Sequence, residues 1–243
     1  MTVDEAKDML AHFASRDCNR RIINKVKMLG KMAYATDGRI AFRAALDSEA
    51  ESDVEGFPVK AIDEFMKCVD AVCEKDWMSM DWEKFIEVGE KFTDALRAYE
   101  VEQRSNIRER YRSTCCPCCG ADVYWDSDME KLIELDDIEE VDYSPSHVDF
   151  PVRLNLQDGT FLDVAFGYLY LIRKAFGEDV LFSREIVKNG NVARLLIKAK
   201  NGDVMGVMMP LRSADNDFVP KCIIDTHAHE GFVKEATADG KAD

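Results

Sequence analysis

The pattern of apolar and polar positions divides the chain into helical and strand-like parts. Near the start, four apolar residues recur with the spacing of one helical face: Ala6, Met9, Leu10 and Phe13. This spacing predicts an amphipathic helix over residues 4–14. Three strand-like runs follow, at residues 22–28, 31–35 and 39–46. Gly30 and Asp37-Gly38 predict turns between these runs, so we expect an antiparallel meander after the first helix.

Residues 58–147 have a different, helical pattern. An apolar stripe begins after Pro58, whose fixed φ suits the first turn of a helix. A second, longer helix is predicted over residues 81–112. Cys68 and Cys73 lie five positions apart in the first of these segments, a spacing that predicts core thiols rather than two ligands of one metal.

Strand patterns return in the last third of the chain. Two strands joined by a turn precede a helix that Gly177 ends, and three further strands follow. Both ends of the chain thus share the order of a helix followed by antiparallel strands. We expect an α+β fold in which residues 1–57 and 148–213 form two such units of one module. Residues 58–147 are then an inserted helical segment and residues 214–243 a C-terminal tail.

Composition limits the classes of function. With 47% hydrophobic residues the chain can bury a core, and no apolar run is long enough to cross a membrane. The first residues lack the features of a signal peptide, which predicts a cytoplasmic protein without a membrane partner. The net charge of −15 argues against a surface that binds phosphates throughout. Acidic residues concentrate in residues 126–149, which predicts a solvated connector, with nucleic-acid mimicry or a carboxylate metal site as the alternative.

Four cysteines within five positions are the densest candidate chemistry: Cys115, Cys116, Cys118 and Cys119. Cys116 and Cys119 have the C-x-x-C spacing in which two thiolates bind one Zn²⁺, and Gly120 lets the backbone turn beneath the metal. We therefore expect a structural zinc knuckle. The remaining ligands are either the neighbouring cysteines or three distant residues, Cys222, His227 and His229. Free thiols are the other alternative.

The most basic stretch of the chain directly precedes this cluster. Its arginines are Arg104, Arg108, Arg110 and Arg112. Arginines in the last turns of a helix favour the negative end of its dipole, which is a structural role. Contact with nucleic-acid phosphates beside the zinc knuckle is the functional alternative.

Two short motifs resemble the sliding clamps of bacterial DNA polymerases. Ala35-Thr36-Asp37-Gly38-Arg39-Ile40-Ala41 resembles the A-T-D-G-H-R-L-A segment of those clamps, without its histidine. Val207-Met208-Met209-Pro210-Leu211-Arg212 resembles the M-P-M-R with which they end. The clamp fold repeats a strand, a helix and three strands, which agrees with the order predicted from the pattern. The resemblance covers residues 4–46 and 152–212.

The resemblance implies a noncatalytic accessory protein of DNA replication or repair that docks short partner peptides in an apolar cleft. The matched cleft residues are Thr36, Gly38, Arg39, Ile40, Met209, Pro210, Leu211 and Arg212. DNA and a second copy of the chain are further candidate partners. Two alternatives stay open. One is a zinc- or thiol-dependent redox enzyme that uses the cysteine cluster, and the other is a protein-interaction module without a nucleic-acid role.

Overall fold

A computed structural model describes residues 1–16, 20–115, 122–126, 131–133, 148, 150–186, 192–211 and 222–228. It contains four α-helices within these ranges: α1 (Val3–Leu10), α2 (Val59–Asp70), α3 (Trp82–Arg110) and α4 (Phe166–Phe176). Thr2 begins α1 with a capping box, and Gly177 ends α4 with a positive φ, as the sequence predicted. None of the helices in the described part of the chain is long and apolar enough to cross a membrane.

Strands form a large sheet and a small one. The strands are β1 (Lys27–Thr36), β2 (Ile40–Glu51), β3 (Met78–Met80), β4 (Tyr111–Cys115), β5 (Asp122–Asp126), β6 (Lys131–Ile133), β7 (Pro151–Asn155), β8 (Phe161–Ala165), β9 (Val180–Ile186), β10 (Val192–Ala199), β11 (Val204–Met208) and β12 (Cys222–Ala228). Nine of them form a sheet in the order β1-β2-β11-β10-β9-β3-β12-β7-β8, and β4, β5 and β6 form a separate antiparallel sheet. Only β12 and β7 pair in parallel within the described nine-stranded sheet. The α+β class is confirmed.

Helices cover both faces of the nine-stranded sheet. Helices α1, α3 and α4 pack on one face, where Leu10, Phe92 and Leu169 join the larger apolar core. Helix α2 packs on the other face with a smaller core. Leu181 and Phe182 are adjacent on β9 and belong to different cores, because successive strand residues point to opposite faces of a sheet.

The first unit has two strands where the sequence predicted three. The expected turn at Gly30 is instead a point within β1 at which the pairing with β2 shifts register, between Gly30 and Met32. Gly30 has a φ of 61°, a conformation that glycine adopts without a steric penalty. Residues 27–36 therefore form one bulged strand, and residues 22–26 of the first predicted run lie outside it.

Two strands from outside the expected units complete the sheet. Strand β3 comes from the segment interpreted as a helical insertion, and it pairs with β9 and β12. Strand β12 comes from the expected C-terminal tail, and it lies between β3 and β7. Residues 78–80 and 222–228 are therefore parts of the main sheet. The sequence did not indicate β3 because three residues are too few to show a period of apolar residues. The apolar pattern of β12 is interrupted on its inward face by Thr226, whose hydroxyl donates to the carbonyl of Asn155 at 3.0 Å.

The pairing of β2 with β11 places a glycine under an aromatic ring. Gly206 is directly opposite Phe42, and a Cβ added at Gly206 would lie 2.3 Å from the Phe42 ring. Phe42 is fully buried, with its ring centroid 4.1 Å from that of Phe13 and 5.3 Å from that of Phe176. The ring therefore has no free space into which it could move.

We expect Gly206→Ala to lower the free energy of unfolding by about 1–3 kcal/mol, the usual cost of overpacking a core. Urea denaturation followed by circular dichroism measures the change. Gly89→Ala is the matched control, because its added Cβ would lie 3.8 Å from Phe166, an ordinary contact, and alanine favours a helix interior. Equal unfolding midpoints for Gly206→Ala and the unmodified protein would contradict this packing.

Candidate functional site

The turn between β1 and β2 is fixed by the side chains of its own residues. One carboxylate oxygen of Asp37, Oδ1, accepts hydrogen bonds from the backbone N–H groups of Arg39 at 2.8 Å and Ile40 at 3.0 Å. The Thr36 hydroxyl donates to the Ile40 carbonyl at 2.7 Å and accepts from the Gly38 N–H at 3.0 Å. Gly38 has a φ of 94°, which strongly favours glycine. The turn is well defined although Gly38 and Arg39 are exposed.

Two residues from other parts of the chain attach this turn to the body of the protein. The Tyr168 hydroxyl, in the first turn of α4, donates to Oδ2 of Asp37 at 2.7 Å. Arg20 Nη1 donates to the Asp37 carbonyl at 2.8 Å. Tyr168 is only 5% exposed. Its burial, followed by the negative charge and the hydrogen bond of Asp37, raises the pKa of Tyr168, while Arg39 acts in the opposite direction.

The end of β11 lies directly against the turn. Met208 is paired with Ile40 in the sheet, and the Met209 N–H donates to the Arg39 carbonyl at 2.9 Å. Pro210 follows and has no N–H with which to continue the strand pairing. The structure therefore brings the T-D-G turn and the M-P-L segment together.

Strand β8 forms the other side of this surface. The Leu211 N–H donates to the Asp163 carbonyl at 2.8 Å. Asp163 also accepts two hydrogen bonds from Arg153, at 2.8 and 2.9 Å, and the Arg153 guanidinium lies 4.0 Å from the centre of the exposed Phe161 ring. Arg212, the last of the matched cleft residues, lies outside the described residues.

The exposed side chains of this surface combine apolar area with positive charge. Met209 is 45% exposed, and Pro210 and Leu211 are half-buried beside it. Arg39 is exposed, whereas Thr36 and Ile40 are buried and support the turn from below. We call Arg39, Met209, Pro210 and Leu211 together the docking surface. Such a combination can bind a partner that offers both large apolar side chains and a carboxylate.

Sequence reasoning did not assign Asp37, Tyr168 or Asp163 to this site. A signal was available for Asp37, because aspartate in a turn commonly accepts hydrogen bonds from backbone N–H groups just after it. Tyr168 gave no such signal, since a tyrosine on the apolar stripe of a helix is usually a core residue. Its contact with Asp37 joins positions 131 residues apart and depends on the tertiary fold.

The cysteine cluster begins where β4 ends. Cys115 is the last residue of β4 and pairs with Asp122, the first residue of β5. Cys116, Cys118 and Cys119 lie outside the described residues. Residues 116–121 thus connect two antiparallel strands, and this places Cys116 and Cys119 within one short connection.

Among the distant ligand candidates, Cys222 and His227 lie on opposite faces of β12. Cys222 is buried in the core, and the His227 side chain is 63% exposed with its Nε2 3.9 Å from Oδ2 of Asp81. Asp81 immediately precedes α3, whose 29 residues span about 43 Å. Cys115 comes five residues after α3, and β4 can return by at most about 17 Å. Asp81 is therefore about 26 Å or more from Cys115, and His227, whose side chain contacts that of Asp81, is at least about 15 Å from Cys115, too far to share a metal with it. His229 lies outside the described residues.

The four arginines lie at the same end of α3 as the cysteine cluster. Arg104, Arg108 and Arg110 belong to the last turns of α3, and Arg112 belongs to β4. The helix thus ends two residues before its predicted end at residue 112, and β4 lies between the helix and the rest of the cysteine cluster.

Cys68 and Cys73 line a cavity of about 430 Å³ between α2 and β9. The Cys68 thiol donates to Oε1 of Glu185 at 3.6 Å. Burial, followed by the charge of Glu185, raises the pKa of Cys68 and disfavours its thiolate. Cys73 is exposed, so the prediction of two core thiols fails for this residue. Within the described ranges, no group of three histidine, cysteine, aspartate or glutamate side chains is arranged to hold a metal ion.

No protein-family model matches the sequence, and no curated protein matches it. Among solved structures, the chain is similar to a crystal structure from Eubacterium rectale that is provisionally described as a DNA polymerase III beta subunit. The two chains are 9% identical and superpose with a TM-score of 0.37. The alignment covers 88% of this chain and 64% of the other, so this chain spans less than two thirds of that protein's length.

The contact between Tyr168 and Asp37 predicts how stability depends on alkaline pH. Because folding raises the pKa of Tyr168 above its unfolded value of 10.0, the neutral phenol stabilises the fold below that pH. This contribution is lost as the pH rises through the higher pKa of the folded state. We expect the free energy of unfolding to fall above about pH 10 more steeply in the unmodified protein than in Tyr168→Phe, measured by urea denaturation. Tyr34 also has a raised pKa but is common to both proteins, so parallel pH profiles would contradict the prediction.

Proposed function

We propose that this chain is a noncatalytic docking protein with a sliding-clamp-like fold, which serves DNA replication or repair by binding short partner peptides. The observation that carries the proposal is the hydrogen bond from the Met209 N–H to the Arg39 carbonyl. It joins, at one surface, the two sequence motifs that resemble the peptide cleft of bacterial clamps.

The strand pairing between the two units supports the same proposal. Helix α1 is followed by β1 and β2, and α4 is followed by β9, β10 and β11. The last strands of these two series, β2 and β11, pair directly and make one continuous sheet, while α1 and α4 pack against each other on one face of it. Two helix-and-strand units joined in this way correspond to the arrangement expected for a clamp-like module.

The chemistry of the docking surface favours a peptide with large apolar side chains and a nearby carboxylate. Burying one such apolar side chain contributes about 1.5–3 kcal/mol, and Met209 and Leu211 offer the area on this side. Arg39 can pair with the carboxylate. In a chain with a net charge of −15, such a pairing gives an acidic partner a specific place to bind.

DNA contact is a further part of the proposal and is assigned to the end of α3. Arg104, Arg108 and Arg110 belong to its last turns, just before the strand that leads to the cysteine cluster. Arginines this close together in the sequence can contact phosphates along one backbone. A docking protein without a nucleic-acid role is the alternative function. It would retain peptide binding and lack DNA binding at low salt.

Removing the apolar side chains of the docking surface tests the proposal. We expect Met209→Ser and Leu211→Ser each to weaken binding of a fluorescent clamp-docking peptide about tenfold or more, because each removes buried apolar contact. Fluorescence anisotropy measures the affinity. Ile223→Ser is the matched control, since Ile223 is 42% exposed on β12 and lies outside the docking surface. A peptide that does not bind the unmodified protein, or an equal loss in the control, would refute the docking function.

We also propose that the cysteine cluster binds one structural zinc ion through Cys116 and Cys119, with Cys115 and Cys118 as the nearest further thiolates. Elemental analysis of protein purified without added zinc should find about one zinc per chain. Cys116→Ser with Cys119→Ser should lose it. His227→Ala should retain it, because His227 lies too far from Cys115 to be a ligand. Absence of zinc from the unmodified protein would exclude the knuckle.

A further inference from the structure

Phe161 is an exposed aromatic residue at the first position of β8. It is 55% exposed, whereas every other phenylalanine in the described residues is buried or half-buried. Phe161 joins neither of the two apolar cores, so core packing does not account for its ring. Its large apolar area is available to a partner, and burying such area favours association.

Neighbouring side chains hold the Phe161 ring in place. The Arg153 guanidinium lies 4.0 Å from the centre of the ring and covers one of its faces. Arg153 is itself fixed, because it donates two hydrogen bonds to the Asp163 carboxylate, at 2.8 and 2.9 Å. The Arg153 and Asp163 side chains are only 18% and 13% exposed, and their charges neutralise each other. The ring is therefore oriented before a partner arrives, which lowers the entropy lost on binding.

We propose that Phe161 extends the docking surface and binds an aromatic side chain of the partner peptide. This inference rests on the docking function proposed above and specifies that the partner has two anchors. One is an apolar side chain that contacts Met209 and Leu211, and the other is an aromatic ring that packs on Phe161. Aromatic pairs gain free energy beyond the area they bury, so this position selects a ring over an aliphatic side chain.

Strand β8 connects Phe161 to the docking surface. The Leu211 N–H donates to the carbonyl of Asp163, and Asp163 comes two residues after Phe161 on β8. Residues two apart on a strand are separated by about 7 Å, and residues paired across strands by about 5 Å. The path from Met209 through Leu211 and Asp163 to Phe161 is therefore about 19 Å at most. A peptide in an extended conformation covers this distance with about six residues.

Phe161 and Met209 face the same side of the sheet. Their strand neighbours Leu162 and Met208 point into the larger apolar core. Met209 continues the strand pairing of β11 through the hydrogen bond from its N–H to the Arg39 carbonyl. Because successive strand residues point to opposite faces, Phe161 and Met209 both point away from that core. One extended peptide can therefore contact both residues from outside.

The test uses a fluorescent clamp-docking peptide and a series of derivatives. Each derivative carries a single phenylalanine one to about six residues from the apolar anchor, on either side, and has a reference peptide with alanine at that position. We expect at least one phenylalanine to strengthen binding about fivefold or more over its alanine reference, measured by fluorescence anisotropy. Phe161→Ala should remove this gain and leave the affinity for the alanine peptide nearly unchanged. Phe161→Tyr retains a ring and should keep the gain.

Ile223→Ala is the matched control, because Ile223 is also an exposed apolar residue but lies on β12, which β7 separates from β8. This variant should keep the gain. The absence of a gain at every position, or a gain that persists in Phe161→Ala, would overturn the role of Phe161 even where the alanine peptides bind. Failure of the unmodified protein to bind any of the peptides would refute the docking function and this inference with it. Thermal unfolding of each variant verifies that it is folded.

Discussion

The antiparallel pairing of β2 with β11 is the constraint on which the rest of the structure depends. It joins the first fifth of the chain to residues 204–208, and its register is enforced by packing. Gly206 lies opposite Phe42, and a Cβ at this position would overlap the Phe42 ring. A slip of one residue would turn every side chain of the strand to the opposite face. The same register sets Met209 against Arg39, so core packing determines the geometry of the docking surface.

Charged side chains have different roles on the α2 face of the sheet and at the turn between β1 and β2. On the face covered by α2, Arg43 pairs with Asp63 and Asp70, and Arg194 pairs with Glu185 while lying over the Phe65 ring. These pairs are partly exposed, so each adds little to stability. The apolar contacts of α2 therefore contribute most of the free energy that holds this helix against the sheet. At the turn, by contrast, one carboxylate accepts three hydrogen bonds, which order the turn and join it to α4.

The sequence predicted those elements whose information is local. Helices α2 and α4 have clear apolar stripes and identifiable ends, and the T-D-G turn has a strong preference for its conformation. The proximity of the turn to Met209 could be anticipated only through resemblance to a known family. Strands β3 and β12 and the Tyr168 contact with Asp37 depend on partners far away in the chain. The spacing of residues within a short stretch of sequence does not identify these distant partners. In the sequence, a glycine at a bulge, such as Gly30, also cannot be distinguished from a glycine at a turn.

Helix α3 connects the body of the protein to the hairpin of β4 and β5, and it sets both the distance and the direction of that hairpin. Each residue of a helix advances its end by about 1.5 Å and rotates it by about 100°. Insertion of a single residue would therefore point the hairpin in a new direction, whereas seven residues would add about 10 Å and nearly preserve its direction. A change in the length of α3 that keeps this direction must therefore be close to a whole number of turns. The helix transmits orientation as well as distance.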